Sequence, residues 1–270
     1  MSEELINKVL AEVVKKMGGD DPAPSTAPAP APAPTPAAGA LPAVTEFVGT
    51  NVLGDTIGMV IANVDPKLRA MMKLEKDFRS IGILGARTGA GPHIFAADEA
   101  VKATNSEILT IELPRDTKGG AGHGSLIIFG AEDVSDARRA VEVALGELDR
   151  TFGDVYGNDA GHLEFQYTAR ASYALNKAFG APIGKAFGIT VGAPAGIGVV
   201  LADTAVKAAT VDVIGYASPA GGTSYSNEVI SFLSGDSGAV RQAIIAAREV
   251  GIPLLGALGA KPESTTTPYI

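Results

Sequence analysis

One block of this sequence occurs twice, and the duplication constrains the chain more than any other feature. Ala97-Asp98-Glu99-Ala100-Val101-Lys102-Ala103 returns as Ala202-Asp203-Thr204-Ala205-Val206-Lys207-Ala208, 105 residues later. Ala97, Ala100, Val101 and Thr104 fall at i, i+3, i+4 and i+7, the spacing of one helix face, and Ala202, Ala205, Val206 and Ala209 repeat it. Asp98 with Lys102, and Asp203 with Lys207, stand at i, i+4 on the opposite side. Acid before base in that order supports an exposed helix face by roughly 0.2–0.5 kcal/mol per pair.

The likeness continues outward. Apolar runs with glycine inside them precede each block (81–86 and 187–193), and further runs follow (107–111 and 212–216). Each copy then has a Gly-rich loop, a third run (125–129 and 228–232) and an acid, Asp133 or Asp236, expected to cap a second helix. In that helix Arg138, Ala140 and Val141 match Arg241, Ala243 and Ile244 at an offset of 103. A strand and a short helix precede each copy: 56–62 with a helix opened by Pro66, and 162–167 with a helix over 171–179. Each repeat therefore predicts strand, helix, strand, helix, strand, loop, strand, helix. The fold class is α/β (α+β), with two tandem domains of about 100 residues, each a mainly antiparallel sheet flanked by helices. The last helix is expected to stop at Gly251, with 253–256 extended and the polar tail 261–270 lying on the surface.

The segment before residue 45 is of another kind. Leu5, Ile6, Val9, Leu10, Val13, Val14 and Met17 form one helical stripe, with acids before it and lysines at its end. A helix this short is marginal alone in water, so residues 1–18 read as a docking helix that folds on a partner. Residues 19–44 carry proline at alternate positions, a linker that excludes helix and favours polyproline II. About 20 residues of it at roughly 3.1 Å each reach ~60 Å. The whole is expected to be a disordered N-terminal arm.

Composition removes several function classes. There is no cysteine, which excludes disulfides, thiol nucleophiles and Cys-ligated metals. The net charge of −8 argues against a nucleic-acid partner. No apolar run approaches the ~18 residues of a spanning helix, and Met1-Ser2-Glu3-Glu4 lacks the basic start of a secretory signal. A soluble intracellular protein with no membrane partner is expected. Hydrophobic residues make up 46% of the chain, many of them small, which points to apolar surface buried between subunits.

The chemical motifs are thin. Residues 82–91 sit where a nucleotide loop would, but lack both G-x-G-x-x-G and Gly-Lys-Ser/Thr. Gly235-Asp236-Ser237-Gly238 has the letters of a serine-protease motif with no histidine nearby in sequence. His93, His123 and His162, 30 and 39 residues apart, make no recognisable metal site and read as surface or loop residues, and the carboxylates read as scattered. No cofactor is expected. The two Gly-rich loops say more. One offers Arg115, Asp116, Lys118, His123 and Ser125; its counterpart is neutral and hydroxyl-rich, with Ser218, Thr223, Ser224, Ser226 and Asn227. Their equivalent placement suggests a shared role, such as lining an axis.

Taken together these residues resemble a known family. From 186 to 256 the chain looks like a bacterial microcompartment shell domain: strand, Ala-Asp-x-Ala-Val-Lys-Ala helix, strand, Gly-rich pore loop, strand, Gly-Asp-x-Gly-Ala-Val helix. The doubled form resembles the circularly permuted tandem-domain shell proteins. Residues 45–49, 83–93, 114–125, 151–156 and 235–243 are similar to those of propanediol-utilisation shells. The resemblance covers roughly 45–270 and implies one BMC domain over 45–157, a second over 158–260 and a tail over 261–270. It further implies a homotrimer forming a pseudo-hexagonal tile that packs with other shell proteins around diol-metabolising enzymes. Such a tile is structural and not an enzyme. It belongs to a microcompartment shell in the cytoplasm and lets small polyols such as 1,2-propanediol or glycerol pass through narrow pores. By the same resemblance the two loops line those pores, and residues 1–18 would dock encapsulated enzymes. Two other readings stay open on the residues alone: an enzyme or binding protein holding phosphate at the 85–91 loop, and a soluble ferredoxin-like small-molecule sensor.

Overall fold

A computed structural model describes residues 44–74, 76–114, 123–219 and 227–270. The expected docking helix and the Ala/Pro arm up to residue 43 lie outside them, as do Arg115, Asp116, Lys118, Thr223, Ser224 and Ser226.

The first repeat runs β1 (Phe47–Asn51), β2 (Thr56–Ile61), α1 (Pro66–Met71), β3 (Ser80–Ala86), α2 (Ala90–Ala103), β4 (Glu107–Glu112), β5 (Ser125–Ala131) and α3 (Val134–Thr151). The second runs β6 (Val155–Asn158), β7 (Gly161–Thr168), α4 (Tyr173–Phe179), β8 (Ala186–Ala193), α5 (Ala195–Ala208), β9 (Asp212–Ala217), β10 (Val229–Gly235), α6 (Ser237–Gly256) and β11 (Glu263–Ser264). Each repeat builds one sheet, ordered β1-β2-β3-β5-β4 and β11-β6-β7-β8-β10-β9, with every neighbouring pair antiparallel. The duplication holds down to irregularities: the register shift that leaves out Leu109 in β4 recurs at Ile214 in β9.

Each prelude is a hairpin rather than a single strand, because β1 and β6 pair with β2 and β7. Glycines in the strands let helices lie directly on the sheets. A Cβ at Gly82 would stand 2.6 Å from the Ala137 carbonyl of α3, and one at Gly188 would be 3.0 Å from Val240 and Ile244 of α6. Small residues do the same between helices: Ala97, Ala100, Ala140 and Ala144 are fully buried in the first repeat, and Ala205, Ala243 and Ala247 in the second. Ala100 and Ala205 are thus packed inside the chain, not at a face between subunits.

Three further expectations are corrected. The last helix continues past Pro253 to Gly256. Leu255 beyond the proline is fully buried, and burying such a side chain contributes about 1.5–3 kcal/mol, which offsets the single hydrogen bond that proline forgoes. The tail does not merely lie on the surface: β11 adds to β6, and Pro262 and Ile270 are buried. Asp133 and Asp236 do occupy the N-cap positions of α3 and α6, but neither side chain makes a capping hydrogen bond.

The two repeats share a core. One face of the second sheet, with Phe187, Ile189 and Val191, packs into the same cluster as Ile94, Phe95 and Ala97 of α2 and Leu175 of α4. Phe95 stacks on Phe187 at 5.9 Å between ring centroids, and Phe179 stacks on Phe232 at 5.0 Å. Covered on nearly all sides, α2 buries nine of its residues; α5, its counterpart, buries only Gly198, Leu201 and Ala205.

Candidate functional site

Four of the expected pore residues lie in the described structure. His123 is buried where the first loop rejoins β5. Ser125 opens β5 opposite Ala86, and its buried hydroxyl has no hydrogen-bond partner among the described residues. Ser218 is half-buried just after β9. Asn227 is exposed, and its Oδ1 accepts from the backbone N–H of Ala195, 3.3 Å away at the start of α5. The fold brings the feet of the two loops together: His123 Nδ1 is 3.9 Å from Oε1 of Glu228, the residue after Asn227.

The repeated Ala-Asp-x-Ala-Val-Lys-Ala block plays two different parts. Asp98, expected on an exposed face, is completely buried. Its Oδ1 accepts from the backbone N–H groups of Ser172 at 3.0 Å and Leu175 at 3.2 Å, and Lys102 Nζ is 2.9 Å from its Oδ2. Asp98 therefore caps α4 from the other repeat. The hydroxyl of Ser172, at the N-cap position itself, is buried and has no hydrogen-bond partner among the described residues. In the second copy Asp203 and Lys207 pair at 2.7 Å with side chains 57% and 73% exposed, as the pattern predicts. Six of the seven residues are the same; what differs is that α4 lies against α2, whereas Asp203 on α5 stays exposed among the described residues.

The histidines and carboxylates also depart from expectation. His93 is fully buried: its Nδ1–H donates to the Gly89 carbonyl at 2.6 Å, and its Nε2 is 2.7 Å from the Thr56 hydroxyl. Burial lowers its pKa from 6.5 to about 4, against the raising effect of the Gly89 hydrogen bond. Gly89, at φ +85°, leaves the N-terminus of α2 packed on Phe152, where a Cβ would be 2.2 Å from the ring. That packing fills the place where a phosphate loop would need open N–H groups. His162 Nε2 is 3.1 Å from Glu228 Oε2, and Glu164, two residues along β7, is buried beside them. Two of the carboxylates, Glu164 and Glu228, are therefore brought together rather than scattered. The signal for this was present in β7, where His162, Glu164, Gln166 and Thr168 alternate with Leu163, Phe165 and Tyr167. Alternation alone assigns that polar row to water; here the first repeat covers it, as when Gln166 Nε2 donates to the Thr151 carbonyl at 2.6 Å.

The sequence matches the BMC domain family twice, over residues 80–158 and 186–259. The chain belongs to the BMC-domain family. It is 62% identical over 269 residues to the bacterial microcompartment shell protein PduB of Citrobacter freundii, covering 100% of this chain and 99% of that one. It is 55% identical over 227 residues to the PduB of Limosilactobacillus reuteri, covering 84% and 95% respectively. Its fold superposes on the crystal structure of a trimeric microcompartment shell protein PduB with a TM-score of 0.81 and 55% identity, over 84% of this chain and all of that one. A structure of EutL from Clostridium perfringens, at 22% identity and a TM-score of 0.61, shares the fold.

This BMC-domain chain is therefore a structural component of a bacterial microcompartment shell and not an enzyme. The comparisons lend no support to a phosphate-binding or ferredoxin-like sensor reading. No helix among the described residues is long and apolar enough to cross a membrane.

Proposed function

We propose that three copies of this chain close into a ring, and that rings pack with other shell proteins into the wall of a microcompartment for small-polyol metabolism. One observation carries the ring: the surface that α2 and β4 bury against the second repeat is repeated, uncovered, on α5 and β9. Ile94, Phe95 and Ile108 are buried, whereas their matches Val199, Val200 and Val213 are 49%, 42% and 53% exposed. The complementary surface is uncovered too. Leu175 of α4 is fully buried, while its match in α1, Leu68, is 48% exposed beside an exposed Met71. Each chain thus offers α5 and β9 at one end and α1 at the other. A contact of this head-to-tail kind continues until it closes, and a relative at 55% identity is a trimer. Light scattering of the purified protein tests this: three chains per particle supports the ring, and a monomer or dimer at all concentrations overturns it.

The permeation role rests on the resemblance and on the loops. The first shell domain spans 45–157 and the second 158–260, a division supported by the duplication of the sequence. Neutral polyols pass by the hydroxyl-rich loop with Ser218, Thr223, Ser224, Ser226 and Asn227, where hydroxyl and N–H groups replace the water that a diol gives up. Arg115, Asp116, Lys118 and His123 supply charge in the other loop, with His123 and Ser125 buried at its foot. Residues 1–18, on the linker 19–44, hold encapsulated enzymes, and 261–270 secures the second sheet. Replacing Ser224 and Asn227 by Val should slow diol entry into intact compartments; if entry changes only with Lys118 or Arg115, the loop roles are exchanged.

A further inference from the structure

The contact of α2 with α4 inside the chain is a template for the contact of α5 with α1 between chains, and the two differ by one exchange of residues. Within the chain, Lys102 of α2 stands between two carboxylates of its own helix, Asp98 at 2.9 Å and Glu99 at 2.9 Å. It also reaches the hydroxyl of Thr168 at the end of β7, 3.4 Å away. The start of α4 covers this group, so that the side chain of Asp98 is 1% exposed and that of Lys102 24%. On α5 the same positions hold Asp203 and Lys207, but Thr204 replaces Glu99. Lys207 pairs with Asp203 at 2.7 Å, and the second carboxylate of the set is gone from the helix.

The missing carboxylate reappears on the opposing surface. Leu68 of α1 matches Leu175 of α4, so the N-cap residues of the two helices correspond: where α4 has Ser172, α1 has Asp65. Asp65 is exposed, and its Oδ1 accepts from the backbone N–H groups of Lys67 at 2.9 Å and Leu68 at 3.0 Å. In α4 the matching N–H, that of Leu175, goes to Asp98. The α1 helix thus carries its own cap and does not need the one that Asp98 gives to α4. Both bonds to Asp65 use one oxygen, and the other is available to a cation. At the end of β2, Ile61 matches Thr168 and offers an ammonium no acceptor on its side chain.

We propose that Lys207 bridges Asp203 to Asp65 of the next copy, so that two chains complete one charged site. Each set then holds one ammonium and two carboxylates. Only the source of the second differs: Glu99 on the same helix within the chain, Asp65 on the opposing helix between chains. The exchange is matched on both sides. A glutamate at 204 would crowd three carboxylates around Lys207, and a serine at 65 would leave it with one. The bridge rests on the ring proposed above and adds the residues that choose its partner surface. The α5 helix is fitted to a carboxylate-capped helix and α2 to a hydroxyl-capped one, which keeps the contact between chains distinct from the contact within one.

A double-mutant cycle on the full chain tests the bridge, with half-assembly concentrations read by mass photometry on dilution. A fixed, sub-denaturing urea concentration is used where dilution alone does not separate the chains. Asp65→Asn removes the charge but keeps a side chain that caps α1, and Lys207→Gln removes the opposite charge. Each should raise the half-assembly concentration about tenfold or more without changing the circular dichroism spectrum, and the double variant should be no worse than either alone. Losses that add in full would show the two charges acting apart and overturn the bridge. Val200→Asp on the same face of contact is the control. If it separates the chains while neither charge variant does, the ring stands and the bridge is overturned. A wild type that is a single chain at all concentrations overturns both.

Discussion

Asp98 caps a helix in the other half of the molecule: its carboxylate accepts the Leu175 backbone N–H at 3.2 Å, from 77 positions earlier in the chain. Lys102 holds the same carboxylate from within α2 at 2.9 Å. This pairing fixes how the two repeats sit, because α4 cannot shift without stranding a buried charge.

Asp98→Ala should therefore cost about 2–4 kcal/mol, because the backbone N–H groups of Ser172 and Leu175 lose their acceptor, while Lys102 keeps Glu99 at 2.9 Å. Asp203→Ala, at the matching but exposed position, should cost less than about 1 kcal/mol. Urea denaturation of the two variants compares them directly. Equal losses would show that burial of the first copy does not decide its importance.

The uncovered face of α5 yields a second expectation. Val200→Asp places a charge where Phe95 is buried in the matching helix, without touching the chain's own core. The folded chain should survive with an unchanged circular dichroism spectrum, while the assembled mass falls to that of one chain. An unaltered mass at micromolar concentration would place the contact elsewhere.

Acid stability should trace to His93. Its folded-state pKa of about 4 lies below the ordinary 6.5, so the unfolded chain binds the extra proton. Stability then falls as pH drops from about 6.5 toward 4, by up to roughly 3 kcal/mol. His93→Gln cannot titrate, and its stability should fall less steeply over that window. The raised pKa of Glu164 acts with the opposite sign over much of the same window, so the difference between wild type and His93→Gln, rather than the wild-type profile alone, isolates His93. Denaturation midpoints at several pH values would reveal a parallel slope if His93 is not responsible.

The tail completes a buried charge. Asp154 Oδ2 accepts from the backbone N–H groups of Tyr269 at 2.8 Å and Ile270 at 3.1 Å, and Arg248 donates to Oδ1 at 2.6 Å. Deleting 265–270 should cost about 2–3 kcal/mol, because a buried carboxylate loses two donors. Asp154→Asn in the shortened chain should recover part of the loss; no recovery would assign the effect to lost packing of Tyr269 and Ile270.

The duplication by itself determined the element order, the two sheets and the close helix packing at Gly82, Gly188 and the buried alanines. Those features depend on side-chain size and period within one element, which a sequence records locally. Glycine next to an apolar strand position and alanine on a helix stripe mean much the same in either copy. The tertiary structure alone decided what each copy faces. Asp98 and Asp203 occupy equivalent helical positions, yet one is a buried cap and the other is exposed, because only the first has a helix of the other repeat against it. The polar row of β7 was readable as a row, but not as buried, since alternation marks two faces without saying what covers either. His123, His162, Glu164 and Glu228 come together from up to about a hundred residues apart. Their chemistry arises from enclosure, and enclosure is set by the packing of one repeat on the other rather than by any spacing along the chain.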